Sequence, residues 1–423
     1  MPACFARSAM LLVFCAANAW AQPVEQLIGG RVESLLAFAR ERHPEFAALR
    51  AEAESAAARV EPAGALPDPV LRTELRDVTN EGLDASANLL PPRIGGARYT
   101  FSQSLPWAGK RDLRREVAGA GADEATALAR AGWVELATKI KLTYAQHHVH
   151  LLSIRYAKEN LDLMRRVAEI ARTRYASGFG GQQDALRAQT EIVAMETDLT
   201  MLEGESAQAS ARMRALLGRP ENVKLRPPEE LRVLPPVARL GLPALEDRLR
   251  ANNPQLAAED ARIAGAEKNR ALVDLNRYPD VTLGASPTQT RNRVSQWELM
   301  FEINIPLQQG SRRAQEREAE LKLDAVRLRR TDTLNQALAA LAEGVAGLQV
   351  AQRLEALVSG GLLPQAELTL NAALAAYETG RAEFSMVLDA QRQLRRARTD
   401  LVKARGDQQM RLAEIEKMVG EEL

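Results

Sequence analysis

The chain carries the same succession of short motifs twice, about two hundred positions apart. A duplication of this kind predicts architecture rather than a catalytic centre, because each repeat buries its apolar face against its neighbour. Five matched pairs define it: His43-Pro44 with Asn253-Pro254, Leu66-Pro67-Asp68 with Tyr278-Pro279-Asp280, Ser104-Leu105-Pro106 with Asn304-Ile305-Pro306, Tyr175-Ala176-Ser177-Gly178 with Tyr377-Glu378-Thr379-Gly380, and Leu217-Gly218 with Val419-Gly420.

The duplication divides the chain into a leader, two repeats and a linker. Arg7 precedes an apolar run, and Ala19-Trp20-Ala21 then matches the small-x-small pattern of signal cleavage, so residues 1–21 are predicted to be a signal peptide. The first repeat is predicted over 22–218, a proline-rich linker over 219–242, and the second repeat over 243–423.

The only cysteines, Cys4 and Cys15, both lie in the predicted signal peptide. Cleavage before Gln22 would leave a mature chain with no thiol, no disulfide and no cysteine metal site. An alternative stays open, in which Leu12-Val13-Phe14-Cys15 is a lipobox and Cys15 is lipidated, although Phe14 is bulky where a small residue is expected.

Composition favours long helices over a compact enzyme. Aromatic residues make up only 4% of the chain, and Leu, Ala, Glu, Arg and Gln dominate it. Removing the signal peptide removes Arg7 and no acid, which leaves 55 basic residues against 55 acidic ones. This balance argues against a nucleic-acid partner, which would require a basic stripe. No later segment approaches the roughly 20 apolar residues of a membrane helix, so any membrane contact would be made by strands.

Four segments alternate with the period of strands that face lipid on one side and water on the other. They lie at about 70–78, 97–105, 281–288 and 297–305, and the last is the clearest, with Trp297, Leu299, Phe301 and Ile303 on one face. A sheet on a soluble core is the alternative for any one strand alone. Four strands cannot close a barrel, and open edges are not tolerated in lipid, so we expect other subunits to complete the sheet.

Between the strands the sequence predicts long helical hairpins. Helices are expected over about 107–175 and 310–377, each about 100 Å long at 1.5 Å per residue. The chain is expected to return in two composite arms, 182–217 continued by 243–276, and 381–419 continued by 33–61. Apolar heptads in the returning segments indicate coiled-coil packing. In the second repeat they comprise Val387, Leu394, Leu401, Gln408 and Ile415.

Together these features resemble the TolC family of outer-membrane efflux proteins. The resemblance rests on the motif pairs above and on Gly109-Lys110-Arg111 and Gly310-Ser311-Arg312 after the strands, and it covers about residues 33–420. It implies a mainly α fold with a β-barrel part: a homotrimer whose shared twelve-stranded barrel, four strands per chain, continues into periplasmic coiled-coil α-hairpins. Leu66-Pro67-Asp68-Pro69 and the segment 103–111 look most like the heavy-metal branch, of the cobalt-zinc-cadmium or copper-silver type.

The resemblance also implies partners and a location. The partners are a periplasmic membrane-fusion adaptor, an inner-membrane RND pump and outer-membrane lipid, and the location is the outer membrane of a Gram-negative cell. The expected function is a passive exit duct of a tripartite efflux system, with heavy-metal cations as the first choice of cargo. Two alternatives stay open: the same duct for drugs or type I secreted polypeptides, and a soluble periplasmic coiled-coil scaffold or adaptor.

Three groups of candidate functional residues follow. The tight turns at the helix ends are expected to dock the adaptor, carboxylates just beyond them to form rings that shape a gate, and residues at the strand ends to anchor the barrel at the headgroups. The turn residues are Tyr175, Gly178, Tyr377 and Gly380. The gate candidates are Asp184 and Asp389. The anchors are Lys110, Arg111, Arg312, Arg313, Trp107 and Trp297.

Metal and catalytic chemistry find little support in the sequence. His147, His148 and His150 cluster on the first long helix, and imidazole suits zinc, copper and nickel. Polar seam residues that set helix register are the preferred interpretation, because Gln349 and Gln352 take the corresponding places in the second repeat. No phosphate-binding loop, nucleophile elbow or His-Glu-x-x-His motif is present, so neither an enzyme nor a cofactor site is expected.

Overall fold

The computed structural model describes residues 28–76, 96–218, 225–290 and 293–423. The predicted signal peptide with Cys4 and Cys15, most of the loop after the first strand, and residues 219–224 of the linker lie outside these ranges. In the described part, no helix combines the length and apolar character needed to cross a membrane.

Helices dominate the described residues, and one of them, α4, is 67 residues long, which corresponds to about 100 Å. A 3₁₀ turn occupies Val237–Arg239 and a π turn occupies Val358–Leu362. The α-helices are α1 (Val32–Arg42), α2 (Pro44–Ala58), α3 (Val60–Gly64), α4 (Lys110–Ala176), α5 (Gln182–Leu216), α6 (Leu242–Asn252), α7 (Pro254–Leu275), α8 (Gln309–Leu357), α9 (Leu363–Glu378) and α10 (Phe384–Val419).

The strands form one antiparallel sheet in the order β1-β2-β3-β4. They are β1 (Val70–Arg76), β2 (Gly96–Leu105), β3 (Val281–Thr290) and β4 (Arg293–Ile303). The two repeats are joined where β2 pairs with β3, with Phe101 opposite Ala285. The prediction of β4 was displaced, because pairing with β3 starts at Arg293 and stops at Ile303, before Pro306 turns the chain away. Within the described ranges, the outer edges of β1 and β4 have no partner strand.

Side-chain exposure alternates as predicted in the middle of β2 and of β4, whereas nearly every residue of β1 is exposed. On one face of β4, Trp297 and Leu299 are 70% and 89% exposed, and Phe101 of β2 is exposed on the same side. The opposite face is polar: Ser286 Oγ donates to Thr100 Oγ1 at 2.9 Å, and Arg98 pairs with Glu298. The sheet therefore presents an apolar surface that no described residue of this chain covers.

The helices form a wall in which α4 lies between α2 and α5 on one side and α7 and α10 on the other, with α8 beyond α7 and α10. The predicted composite arms are wrong in their pairing. The end of α5 meets the start of α2, where a Cβ on Gly218 would lie 2.8 Å from Pro44 Cδ. The end of α10 meets the start of α7, where a Cβ on Gly420 would lie 2.8 Å from Pro254 Cδ.

The physical reason is that each arm is completed inside its own repeat. Leu217 packs with Val32 and Phe46 of the first repeat, and Val419 packs with Leu249 and Leu256 of the second. The linker connects the two repeats, and its described part packs on the second one through Leu240. The order of segments along the chain predicted that consecutive segments stack end to end. The apolar contacts within each repeat determine the pairing instead.

The second long helix contains one residue more than the first. Ile140 and Tyr144 match Leu341 and Val345, 201 positions later, whereas Ala171 matches Ala373, 202 positions later. The π turn lies between these two sets and accommodates the extra residue, so the predicted unbroken helix over 310–377 is interrupted there. His147 consequently corresponds to Leu348, not to Gln349.

Candidate functional site

Helices α4 and α9 end in the same backbone motif, at the turn of each hairpin. Gly178 has φ 76° and Gly380 has φ 73°, in the left-handed region that favours glycine. In the first turn, Gly178 N donates to Tyr175 O at 3.0 Å and Phe179 N to Arg174 O at 2.9 Å. The second turn has the corresponding bonds, from Gly380 N to Tyr377 O and from Arg381 N to Ala376 O. These pairs define a Schellman motif in each repeat.

The two tyrosines of these turns have opposite environments. Tyr175 is 48% exposed, whereas Tyr377 is 2% exposed and packs against Phe384, with ring centroids 5.6 Å apart. The Tyr377 hydroxyl has no hydrogen-bond partner among the described residues. Burial raises the pKa of Tyr377, and the nearby carboxylate of Asp184 raises it further. The equivalence suggested by the Tyr-x-x-Gly motifs therefore holds for the backbone and not for the side chains.

Arg174 connects the two turns. Its guanidinium donates to Tyr377 O and, at 3.1 Å, to Phe179 O, and it lies 4.7 Å from the centroid of the Tyr377 ring. The position that corresponds to Arg174 in the second repeat is Ala376, which cannot make a reciprocal bond. Sequence reasoning missed this residue, although the mismatch between arginine and alanine was a visible signal.

The gate candidates occupy different positions in the two repeats. Asp184 lies in the first turn of α5 and is half-buried, whereas Asp389 is exposed one turn further along α10. In the repeat alignment Asp184 corresponds to Met386, and Asp389 to Arg187. Neither carboxylate forms an ion pair with any residue that the structure describes. Of the two, only Asp184 is close enough to act on the buried tyrosine.

Exposed apolar side chains surround the turns. Phe179, between Gly178 and Gly180, is 80% exposed, and Leu186 and Met386 are more than half exposed. Exposed apolar residues at the end of a hairpin mark a contact surface more often than single scattered ones do. Sequence reasoning named only the tyrosines and glycines here, because a heptad pattern does not distinguish an apolar residue at the end of a seam from one inside it.

At the junction of sheet and helices, Lys110 lies inside the protein. Its side chain is buried, and Nζ contacts Asp280 Oδ1 at 2.8 Å and Tyr278 O at 3.0 Å. Asp280 Oδ1 also accepts a hydrogen bond from Trp107 N at 2.8 Å. Burial alone would raise the pKa of Asp280, but Lys110 and the backbone of Trp107 lower it overall. The expected headgroup anchor at Lys110 is thus corrected to an internal ion pair between α4 and the start of β3.

The other predicted anchors divide into internal and exposed residues. Arg111 Nε donates to Gly64 O at 2.9 Å, and Arg312 donates to Asn276 O, so both brace the helix ends. Trp107 stacks on Tyr278 with ring centroids 5.0 Å apart and remains partly exposed. Arg313 is exposed, as is Trp297. Of the four cations, Arg313 is the one for which the described residues provide neither a side-chain hydrogen bond nor an ion pair, and its side chain is exposed.

The three clustered histidines have different surroundings. His150 Nδ1 lies 3.2 Å from Glu205, while burial lowers the pKa of His147 and of His148. In the described ranges, no group of three or more His, Cys, Asp or Glu side chains is placed to hold a metal ion.

A buried ionic network that sequence reasoning missed ties the two repeats together at the level where the arms meet. Arg232 contacts Glu416 through two bonds, of 2.6 and 2.8 Å, and Lys141 Nζ contacts the same carboxylate at 2.8 Å. Burial alone would raise the pKa of Glu416, but Arg232 and Lys141 lower it below its usual range. The network joins α4, the linker and α10, and no short motif announces it.

Comparison with known proteins gives consistent matches over nearly the whole chain. The family model described as "Outer membrane efflux protein" matches residues 35–219 and 245–421. The cobalt-zinc-cadmium resistance protein CzcC of Cupriavidus metallidurans is 26% identical over 400 residues, covering 92% of this chain and 90% of that protein. The pyoverdine export outer membrane protein OpmQ of Pseudomonas aeruginosa is 26% identical over 278 residues, covering 63% of this chain and 56% of that protein.

Solved structures agree in fold. The outer-membrane channel OprN superposes with a TM-score of 0.80 at 20% identity, covering 92% of this chain and 89% of that one. CusC superposes with a TM-score of 0.79 at 18% identity, covering 93% of each chain. At these identities the likeness concerns the fold, and the described helices and four-stranded sheet match it.

Proposed function

The chain belongs to the outer membrane efflux protein family, and from that premise we propose that it forms the passive exit duct of a tripartite efflux system. An energy-coupled inner-membrane RND pump and a periplasmic membrane-fusion adaptor would supply the cargo, and this chain would supply a water-filled path through the outer membrane of a Gram-negative cell. Relatives whose names describe export or resistance support this assignment.

One observation carries the proposal: the sheet ends in two open edges and bears an uncovered apolar face. Trp297, Leu299 and Phe301 stand on that face, and β1 and β4 have no partner strand in the described chain. Lipid does not tolerate unpaired backbone edges. Pairing of β4 with β1 of the next protomer satisfies both edges, and a homotrimer closes the ring at twelve strands.

The helical wall supports the same assembly. Exposed apolar residues follow the outer side of α8 and α9, and a second set follows α5. Because α8 and α5 lie at the opposite edges of the wall, the apolar edge of one protomer would pack against that of the next. The first set comprises Leu321, Leu328, Leu354, Leu357 and Leu368, and the second Leu186, Val193 and Met201.

The closed periplasmic end is proposed to depend on contacts between the two turns. Arg174 holds Tyr377 O and Phe179 O, and Asp184 lies near the Tyr377 hydroxyl. Replacing Arg174 with Gln is expected to raise the fraction of time that reconstituted channels conduct, whereas Arg172→Gln is the matched control. Asp184→Ala is expected to act in the same direction, and Asp389→Ala less so. Unchanged leakage in the Arg174 and Asp184 variants would remove this gate.

Adaptor docking is proposed at the turns themselves. Tyr175 and Phe179 of the first turn and Met386 near the second are exposed, and Gly178 and Gly380 fix the backbone that presents them. At the other end, Trp297, Trp107 and Arg313 are proposed to contact outer-membrane lipid. Polar substitution of Phe179 should abolish copurification of the adaptor without loss of the trimer, and retained copurification would exclude the site.

For the cargo we propose heavy-metal cations. The support is the similarity to CzcC, a cobalt-zinc-cadmium resistance protein that aligns with most of this chain, together with the fold shared with CusC. OpmQ, a pyoverdine export protein, favours a different cargo over a shorter match. A deletion strain that becomes sensitive to cobalt, zinc, cadmium or copper, and not to common antibiotics, would support the metal cargo. The reverse pattern would exclude it.

The duct itself is tested by extraction and by conductance. The mature protein should leave the envelope only with detergent and should produce discrete ion conductance in planar bilayers. Release by osmotic shock, without conductance, would favour the remaining alternative, a soluble periplasmic scaffold.

A further inference from the structure

The second hairpin, formed by α8, the π turn, α9 and α10, contains a break that the first hairpin, α4 with α5, lacks. At Val358–Leu362 the backbone forms a π turn in which Leu363 N donates to Val358 O, five residues back. Single π turns inside α-helices arise by insertion of one residue and are often found at functional sites. The extra residue of the second repeat is located here, between Val345 and Ala373.

The sequence around the turn is chemically suited to bending. Gly360 and Gly361 are adjacent, and a Cβ at either position would meet nothing within 4 Å. Three residues after Gly361, Pro364 has no N–H to donate, and in a regular helix its ring would clash with the carbonyl of Gly360. Sharp bends in helices occur at proline, at glycine pairs and at π turns, and all three coincide in this segment.

The first repeat offers a direct contrast. Because of the extra residue, the seven positions 358–364 correspond to the six positions 157–162 of α4, which contain neither glycine nor proline. Helix α4 runs unbroken through them from Lys110 to Ala176.

The break also separates two independently packed regions. Before it, Gln408 Nε2 and Arg405 Nε hold Glu355 at 2.7 Å each, which fixes α8 to α10. After it, Leu370 and Tyr377 belong to the apolar cluster at the tips. Between them, Leu357 and Leu362 are exposed. Helix α10 passes this level without interruption, so a bend of α9 would carry α10 with it by gentle curvature.

We propose that residues 358–364 are a hinge about which the tip half of the second hairpin bends, while the unbroken α4 keeps the first hairpin in place. The inference rests on the proposed duct in so far as the bend would widen the periplasmic end. The hinge itself is a property of the chain and can be measured without any transport.

The repeat provides a matched pair of labelling sites. Thr379 and Ser177 are equivalent helix-cap residues, both exposed and both bonded only to carbonyls of their own helix. The native cysteines lie in the predicted signal peptide, so Thr379→Cys and Ser177→Cys would each carry one spin label per chain. We expect the distance distribution between copies to be about twofold broader at position 379 than at 177, as slow hinge motion requires.

The decisive variant is Gly360→Ala/Gly361→Ala/Pro364→Ala, and deletion of Gly361, which restores an ordinary helical register, is the second. Both should narrow the distribution at position 379 to that at 177. Gly119→Ala/Gly121→Ala is the control, because these α4 glycines also have open space around them. Equal widths in the starting protein, or a width at 379 that neither variant changes, would overturn the hinge.

Hydrogen exchange separates failure of the hinge from failure of the duct. Amides of 358–363 should exchange at least about tenfold faster than those of 157–162, and the triple variant should remove the difference. If no spin-label distance between copies is detected, the oligomeric duct is contradicted, and the hinge is then tested by hydrogen exchange alone. Equal exchange in the two segments would overturn the hinge even if the channel conducts.

Discussion

The two hairpins share a backbone and differ in what the backbone presents. Each ends in a Schellman motif with a left-handed glycine, and each meets a proline of its own repeat through a second left-handed glycine, Gly218 or Gly420. Yet Tyr175 is exposed where Tyr377 is buried, and α4 is continuous where the second hairpin has a π turn.

The shared turns and the unlike side chains of the two hairpins indicate which positions the duplication preserves. Glycines that adopt positive φ, and prolines at the first turn of a helix, are required by the path of the chain in both repeats. Side chains that bond from one repeat to the other are not fixed by the path of the chain. One such residue is enough to make the contact, so the equivalent position in the other repeat can hold a different residue. Arg174 and Glu416 act between the repeats, and their counterparts are Ala376 and Arg214.

The largest expected effect comes from Glu416→Ala. Removing this carboxylate leaves Arg232 without its ion-pair partner and leaves Lys141 with only the exposed Glu422, which should lower the free energy of unfolding by about 3–4 kcal/mol. Arg214→Ala, at the equivalent exposed position of α5, should change it by less than about 0.5 kcal/mol. Denaturant unfolding of detergent-solubilised protein gives both values, and similar losses in the two variants would contradict the inequality of the repeats.

Substitution of the two tyrosines should also give unequal losses of unfolding free energy. Tyr377→Ala removes a buried ring from the tip cluster and is expected to cost about 3 kcal/mol, whereas Tyr175→Ala should cost less than about 1 kcal/mol. Tyr377→Phe separates ring from hydroxyl: the hydroxyl has no partner among the described residues, so this variant should be nearly neutral. A Tyr175→Ala variant as unstable as Tyr377→Ala would show that the two tips are packed alike.

The glycines at the two junctions between arms, Gly218 and Gly420, should lose similar stability on substitution, because the backbone there is the same in both repeats. Gly218→Ala and Gly420→Ala each force a Cβ into positive φ and against a neighbouring proline, with an expected loss of about 1–2 kcal/mol. Gly204→Ala, in the middle of α5 with open space around it, should be neutral or slightly stabilising. Thermal unfolding compares the three, and tolerance of alanine at only one junction would argue that the arms meet differently in the two repeats.

The smallest effect concerns the caps of α2 and α7. Asn253 Oδ1 accepts from the backbone N–H groups of Gln255 and Leu256, whereas His43 makes no such bond. His43→Asn should therefore stabilise the protein by up to about 1 kcal/mol. Asn253→His should do the reverse, with the added loss of the bond to Met418 O. A destabilised His43→Asn variant would indicate that the histidine has a contact outside this chain.

Periodicity predicted the long helices, the four strands and their apolar face, because these properties are local. The turns were predictable too, since positive φ leaves a glycine in the sequence. The pairing of the helical arms could not be predicted, because the order of segments along the chain does not determine which helix ends meet. Lys110 shows the same limit for a side chain: only the fold places it beside Asp280.

The register of the second hairpin was within reach of the sequence. The extra residue between Gly310 and Tyr377 could be counted, and Gly360-Gly361 with Pro364 indicated where it lies. The Arg232–Glu416–Lys141 network was not, since its members lie on three separate segments of the chain.

If the proposed duct is correct, this chain completes its sheet only against copies of itself. Single-particle cryo-EM of the full chain in lipid nanodiscs would show how the sheet edges are paired. We expect three protomers, with β4 of each paired to β1 of the next and with Leu299 and Trp297 facing lipid. A monomer, or an oligomer in which the β1 and β4 edges stay unpaired, would contradict it.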